Sequence, residues 1–314
     1  MSQRPAARPD VRTVGAVVVA LAAVSSSAPL IAFAAAPALA IAFWRNALAA
    51  TVLGPVSWAR RRRELRWLAH GPGRRVAGYS VLAGLALAAH FGTWMPSVQL
   101  TSVAAATALV ATQPVWQGLI ARWQGHRLAP SNWLGIALAV AGAGLATGAD
   151  LAVSGRAVAG DLLAIAGGVA AAVYTAFGER ARTAISTTTY TTVCYGVCGL
   201  VMLAICLAAG VPLAGYEPAT WAAILGLVAG AQLLGHSMFN YVLHHVSATT
   251  VSVLILLEAP GAALIAWAWL GQVPRPLAVL GIGLLLAGVA IVVVGGARST
   301  LRRVAAPPAA DPLP

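Results

Sequence analysis

The sequence predicts an all-α integral membrane protein of ten transmembrane helices, arranged as two inverted five-helix repeats. That prediction rests on the composition, on arginines clustered between apolar runs, and on a self-similarity at a constant offset of 146 residues (His90 to His236). Of 314 residues, 60% are hydrophobic and 9% charged, and the mean hydropathy is +0.82. A soluble domain carries roughly 25% charged residues, so this chain lacks the polar surface that water requires. The same numbers exclude disorder, because chains that fail to collapse are poor in apolar residues and rich in charge.

A membrane helix needs about 20 predominantly apolar residues. Ten runs qualify: 14–35, 38–58, 76–97, 102–121, 133–149, 161–178, 189–209, 220–241, 248–269 and 276–295. Arg4, Arg8 and Arg12 precede the first run, as in a secretory signal. Its apolar stretch is longer than the roughly 7–15 residues of a signal core, and a second run follows at once, so it reads as a retained helix.

The net charge of +12 comes from twenty basic residues, all of them arginine. With the N-terminus inside, seventeen arginines fall in inner segments, Arg156 and Arg275 fall outside, and Arg45 stays within a span. The positive-inside rule then places both termini in the cytoplasm, and the expected location is the plasma membrane. The run Arg60–Arg63 fixes orientation and adjoins anionic lipid. Without a nucleic-acid-reading module, this charge implies no nucleic-acid partner. Cys194, Cys198 and Cys206 share one apolar run and read as packing residues, since a CxxxC pair alone is a poor metal site. The expected divisions are a tail at 1–13, a first repeat at 14–149, an outer linker at 150–160, a second repeat at 161–296 and a disordered, proline-bearing tail at 297–314.

Shifting the chain by 146 residues aligns His90–Gly144 on His236–Ala290 without a gap. His90 meets His236, Pro114 meets Pro260, Gly125 meets Gly271 and Pro130 meets Pro276. Ala141-Gly142 meets Ala287-Gly288. Matches of Leu or Ala mean little in apolar sequence, but prolines, a histidine and glycines at one offset are harder to produce by chance. Five spans per repeat is an odd number, so the second repeat enters the membrane from the opposite side. Inverted repeats with a midplane site between the halves are the architecture of secondary transporters.

Polar residues inside spans are the candidate site. Glu258 is the one acidic residue well inside a span, where an ionised carboxylate costs about 2.5–3.5 kcal/mol on insertion scales. It reads as a proton-coupling group, as a partner for a substrate ammonium, or as a neutral carboxyl bonded across helices. Pro260, two residues on, is expected to kink the helix. Arg45, about 12 Å into the second span at 1.5 Å per residue, either snorkels outward or points inward towards a substrate carboxylate. His90 and Trp94 share one helix face, as do His236 and Asn240, at repeat-related positions. Gln113 precedes Pro114 and offers its amide either to substrate or to a neighbouring helix. Tyr174 and Trp116 are candidate apolar walls. Two histidines without a third ligand do not make a metal site, and no cofactor is implied.

The segments FWRN at 43–46, TSVAAATALVATQP at 101–114, SATTVSVLILLEAP at 247–260 and WLGQVPRPLAVLGIGLLLAG at 269–288 carry a resemblance over residues 14–296. The chain resembles the EamA-type branch of the drug/metabolite transporter superfamily. The resemblance implies ten helices in two inverted repeats around a central cavity lined by spans 1, 3, 4, 6, 8 and 9. It also implies movement of small metabolites, often amino acids or related compounds, frequently as export. Two departures stand out. Gly125-His126 and Gly271-Gln272 replace the family's frequent Gly-Glu, and Ser25-Ser26-Ser27-Ala28-Pro29 replaces a Trp-Gly-x-Asn-type stretch.

The expected function is therefore secondary transport of a small metabolite by alternating access, with substrate, lipid bilayer and protons as partners. A passive channel or a lipid-carrier flippase on the same scaffold is the alternative. No G-x-x-x-x-G-K loop supplies nucleotide energy, and a lone carboxylate without a G-x-S-x-G elbow does not suggest an enzyme.

Overall fold

The computed structural model describes residues 11–125, 128–151, 154–235 and 256–305, and every regular element among them is helical. Among the described residues, eight stretches are long and apolar enough to cross a membrane: Val14–Phe33, Ala38–Leu68, Gly73–Leu100, Val103–Ile120, Gly155–Arg182, Thr187–Ala208, Pro218–Gly235 and Pro276–Gly295. The expected fifth span is a shorter apolar helix, Pro130–Ala146. The chain is a multi-pass membrane protein. The end of the eighth span and the first half of the ninth lie outside the described residues, and with them His236 and Asn240.

Several spans are broken, and proline chemistry accounts for the breaks. The first consists of α1 (Val11–Ser25) and α2 (Ser27–Phe33). Pro29 has no N–H to offer the Ser25 carbonyl, and at the break the Ser26 hydroxyl donates to Ala23 O at 2.7 Å. The fourth consists of α5 (Val103–Val110), capped by Ser102 Oγ accepting from Ala105 N, and α6 (Gln113–Trp123). Pro114 cannot donate to Val110, so the helix restarts at Gln113. The ninth span shows the same device, with α11 (Glu258–Leu270) starting two residues before Pro260. These prolines thus stand in the first turn of a new helix rather than at the kink of a continuous one. The eighth span starts as α10 (Pro218–Gly226) and continues as a π-helical segment, Leu227–Gly235.

The remaining helices run longer than their apolar cores. After Pro37, α3 (Ala38–Leu68) continues past the expected end at 58, bending at Arg61 (φ −130°, ψ 18°). Its arginine-rich end is helical because no Gly or Pro interrupts it and its residues are good helix formers. Then come α4 (Gly73–Leu100), α7 (Pro130–Leu151), α8 (Gly155–Arg182) and α9 (Thr187–Ala208). The N-terminus of α8 lies inside the stretch expected as linker, where Ser154 Oγ accepts from Ala157 N at 3.2 Å. α12 (Pro276–Ala305) likewise runs beyond 296 into the expected tail, whose prolines begin only at Pro307. Gly125 (φ 91°) and Gly271 (φ 67°) end α6 and α11 in left-handed turns that only glycine adopts cheaply, which explains their place in the repeat.

Repeat counterparts pack against each other and run antiparallel. In α7 and α12, Gly135 lies against Gly288 and Gly142 against Gly281, so each glycine touches the counterpart of the other. A Cβ on Gly288 would collide with the Ala139 backbone. Gly288→Val is therefore expected to destabilise the protein by about 1–3 kcal/mol through overpacking, read as a lower unfolding temperature in detergent. Wild-type stability of that variant would contradict this close approach. In α3 and α9, Ser57 Oγ bonds Thr192 Oγ1 at 2.6 Å, and Gly199 faces Ala47. At the arginine-rich end Glu64 accepts from Ser186 N at 2.9 Å and Ser186 Oγ at 2.7 Å, tying α3 to the start of α9. α4 packs along α8, also antiparallel, with Trp94 beside Gly167 and Tyr79 stacked near Phe177.

Candidate functional site

Arg45 is the hub. Its side chain is 5% exposed, so the second span turns it inward and the snorkelling alternative is excluded. Arg45 Nε donates to Gln232 Oε1 at 2.5 Å and Nη1 to Ser27 Oγ at 3.2 Å. Its guanidinium carbon lies 4.7 Å from the centroid of the Phe91 ring. Tyr195, Cys198, His90 and Glu258 are all within electrostatic reach of it. Six spans thus meet at one buried cation: α2, α3 and α4 from the first repeat, and α9, the π-helical segment and α11 from the second.

Glu258 occupies the first turn of α11, half-buried, at a helix N-terminus whose dipole favours negative charge. It attracts Arg45 without a contact ion pair, since the hydrogen bonds of Arg45 go to Gln232 and Ser27. The serines explain how α11 comes so close. Gly261 leaves no room for a Cβ against Ser25, two residues before the Ser27 that holds Arg45.

His90 stacks on Trp94 with ring centroids 5.6 Å apart and planes at 13°. Its Nδ1 is 3.0 Å from Gly167 O; a carbonyl only accepts, so Nδ1 carries the proton. Trp94 is 4% exposed, and its Nε1 has no hydrogen-bond partner among the described residues. Gln113 donates Nε2 to Thr175 Oγ1 at 2.8 Å, joining α6 to α8, so its amide is a tie between helices. Tyr174 stacks on Tyr190 at 6.4 Å, and Trp116 donates to Thr112 Oγ1 at 3.0 Å.

These contacts change the expected set of lining spans. Spans 2 and 7, absent from it, deliver Arg45, Tyr195 and Cys198 to the junction. Gln232, Ser27, Phe91 and Tyr195 are the residues that sequence reasoning missed. Gln232 carried a usable signal, as a lone amide in an apolar run. Asp161 was missed in another way: α8 starts early enough to bury it completely in the second turn. Separately, a cavity of about 210 Å³ opens between the ends of α6 and α8, lined by Gln117, Gln124, Glu179 and Arg180 among others.

The sequence profile of the EamA-like transporter family matches this chain twice, over residues 13–148 and 158–294. A protein of known crystal structure aligns with 90% of this chain and 97% of its own, at a TM-score of 0.60 and 18% identity, which speaks for a shared fold. No curated protein matches the sequence.

Proposed function

The chain belongs to the EamA-like transporter family of the drug/metabolite transporter superfamily, a family of membrane transporters, and from that premise we propose a secondary transporter. It moves a small metabolite, an amino acid or related compound, out across the plasma membrane by alternating access. The observation that carries this reading is the meeting of Arg45 and Glu258, one charge from each half, inside an apolar bundle. Ionisable groups at such depth are costly and mark substrate and ion pathways. A helix that starts beside the site, as at Pro260, is the form in which transporters present backbone to a midplane ligand.

Antiparallel packing of the counterpart pairs α3 with α9 and α7 with α12 supports an inverted relation between repeats 14–149 and 161–296. In this reading the repeats rock about the Arg45 junction, with Glu258 carrying the coupling proton or the substrate ammonium. His90 and Trp94 form a wall of the site, as does Tyr174, while His236 and Asn240 are candidates on the eighth span. The arginine distribution favours cytoplasmic termini, so the cavity beside Gln117 and Glu179 is the inner mouth. A reporter fused to the C-terminus is expected to read cytoplasmic; a periplasmic signal removes this topology.

The test of function is flux in proteoliposomes, using labelled amino acids with and without a pH gradient, together with counterflow. Accumulation that collapses with the gradient supports a proton-coupled carrier. Equilibration without accumulation turns the protein into a facilitator, and counterflow absent for amino acids and for a wider metabolite set overturns transport.

A further inference from the structure

We infer that Arg45 and Gln232 form the carboxylate-binding subsite of this transporter, taking the acid group of a small substrate; the inference rests on the transport reading above. Arginine only donates, and two of its N–H groups meet neutral oxygens, those of Gln232 and Ser27. No carboxylate of the described residues makes contact with it, and Glu258 acts on it only from a distance, so its remaining N–H groups are open to a ligand's acid group. Because Arg45 can only donate, Gln232 must turn its oxygen towards the guanidinium. That fixes the other end of the amide: Gln232 Nε2 is a donor in a side chain only 2% exposed, with no acceptor among the described residues.

Two donor groups, one charged, thus lie side by side at the junction of the repeats. They are bridged by the 2.5 Å bond between Nε and Oε1. A carboxylate fits this arrangement, because it only accepts and pairs with guanidinium along two parallel hydrogen bonds. A carboxamide does not, since its own N–H groups would face donors. Phosphate would bring about two charges to a single cation at neutral pH. The side chains are also held ready. Phe91 covers one face of the guanidinium and Ser27 holds one end, so a substrate acid meets a fork already oriented. Gln232 sits in the π-helical segment Leu227–Gly235, a kind of irregularity frequent at functional sites. One donor comes from each repeat, so closing the halves on a carboxylate joins them through the ligand.

Binding is measured on the purified full-length protein in lipid nanodiscs by its unfolding temperature. The probes are the twenty α-amino acids, lactate, pyruvate and succinate as free acids, and the carboxamides of alanine, leucine and phenylalanine. At least one free acid is expected to raise the unfolding temperature, while the amides leave it unchanged. Gln232→Glu places a fixed carboxylate against Arg45. It is expected to unfold at or above the wild-type temperature and to weaken acid binding at least tenfold. Should that variant fail to fold, Gln232→Met, which removes the free donor without adding charge, is expected to weaken acid binding about tenfold. Equal shifts from acids and amides overturn the subsite, as does wild-type affinity in the variants. If no acid binds wild-type protein, the subsite is overturned as well, while counterflow of an uncharged compound leaves the transporter reading standing.

Discussion

Replacing Glu258 with glutamine is expected to abolish accumulation driven by a pH gradient and to slow counterflow about 10–150-fold. The substitution keeps the shape of the side chain, removes the negative charge and the exchangeable proton, and puts an N–H donor in place of one acceptor oxygen. Hydrogen bonds to charged groups contribute about 1.5–3 kcal/mol, and each 1.4 kcal/mol is a factor of ten, which gives that range. Glu258 stands alone as an acid in the ninth span, lies within electrostatic reach of Arg45, and has no contact ion pair among the described residues. The two readings of its role separate in one experiment. A pure coupling group leaves counterflow near wild type while accumulation is lost, whereas an ammonium partner loses both. Wild-type accumulation with unchanged pH dependence in Glu258→Gln would remove the residue from the mechanism.

Arg45→Met is expected to cut transport at least 100-fold while changing stability little. Removing the guanidinium strands Gln232 Oε1 and Ser27 Oγ, a cost of about 1–3 kcal/mol per buried group, and forfeits the stacking on Phe91. Against that, a buried charge no longer has to be desolvated, and replacing such charges with apolar groups of similar volume is often neutral. The two effects oppose each other in stability but not in transport. Arg45→Lys is expected to rescue poorly, because an ammonium is a compact point charge and cannot reach Gln232 and Ser27 as a planar fork does. Unfolding temperature and counterflow should be measured on the same preparations. Flux above a tenth of wild type in Arg45→Met would show that the junction cation is dispensable.

Much of the architecture can be read without coordinates, for physical reasons. Membrane spans announce themselves because about 20 apolar residues in a row have no other use in a chain this poor in charge. The repeat announces itself through residues with backbone duties: Pro114 and Pro260 start new helices, and Gly125 and Gly271 hold left-handed turns. Glu258 is legible because a lone acid in hydrocarbon is costly wherever it faces.

What the sequence could not supply was direction. In water, the polar face of a helix betrays its buried face. In lipid the surroundings and the protein interior are both apolar, so hydropathy carries little record of which side packs. Arg45 was long enough to snorkel or to point inward, and only the positions of Ser27, Phe91 and Gln232 around it decided the matter. The same blindness let Gln232 pass as one more residue of an apolar run, while the expected lining by spans 1, 3, 4, 6, 8 and 9 came from the family resemblance and not from hydropathy. Helix ends were misplaced for a related reason: hydropathy marks where the hydrocarbon stops, while α3, α8 and α12 continue as far as their backbone hydrogen bonds allow. The sequence by itself determined the membrane class and the repeat. The tertiary structure decided which side chains from the two halves share one buried site, because that depends on helix rotation, which an apolar surround leaves unwritten.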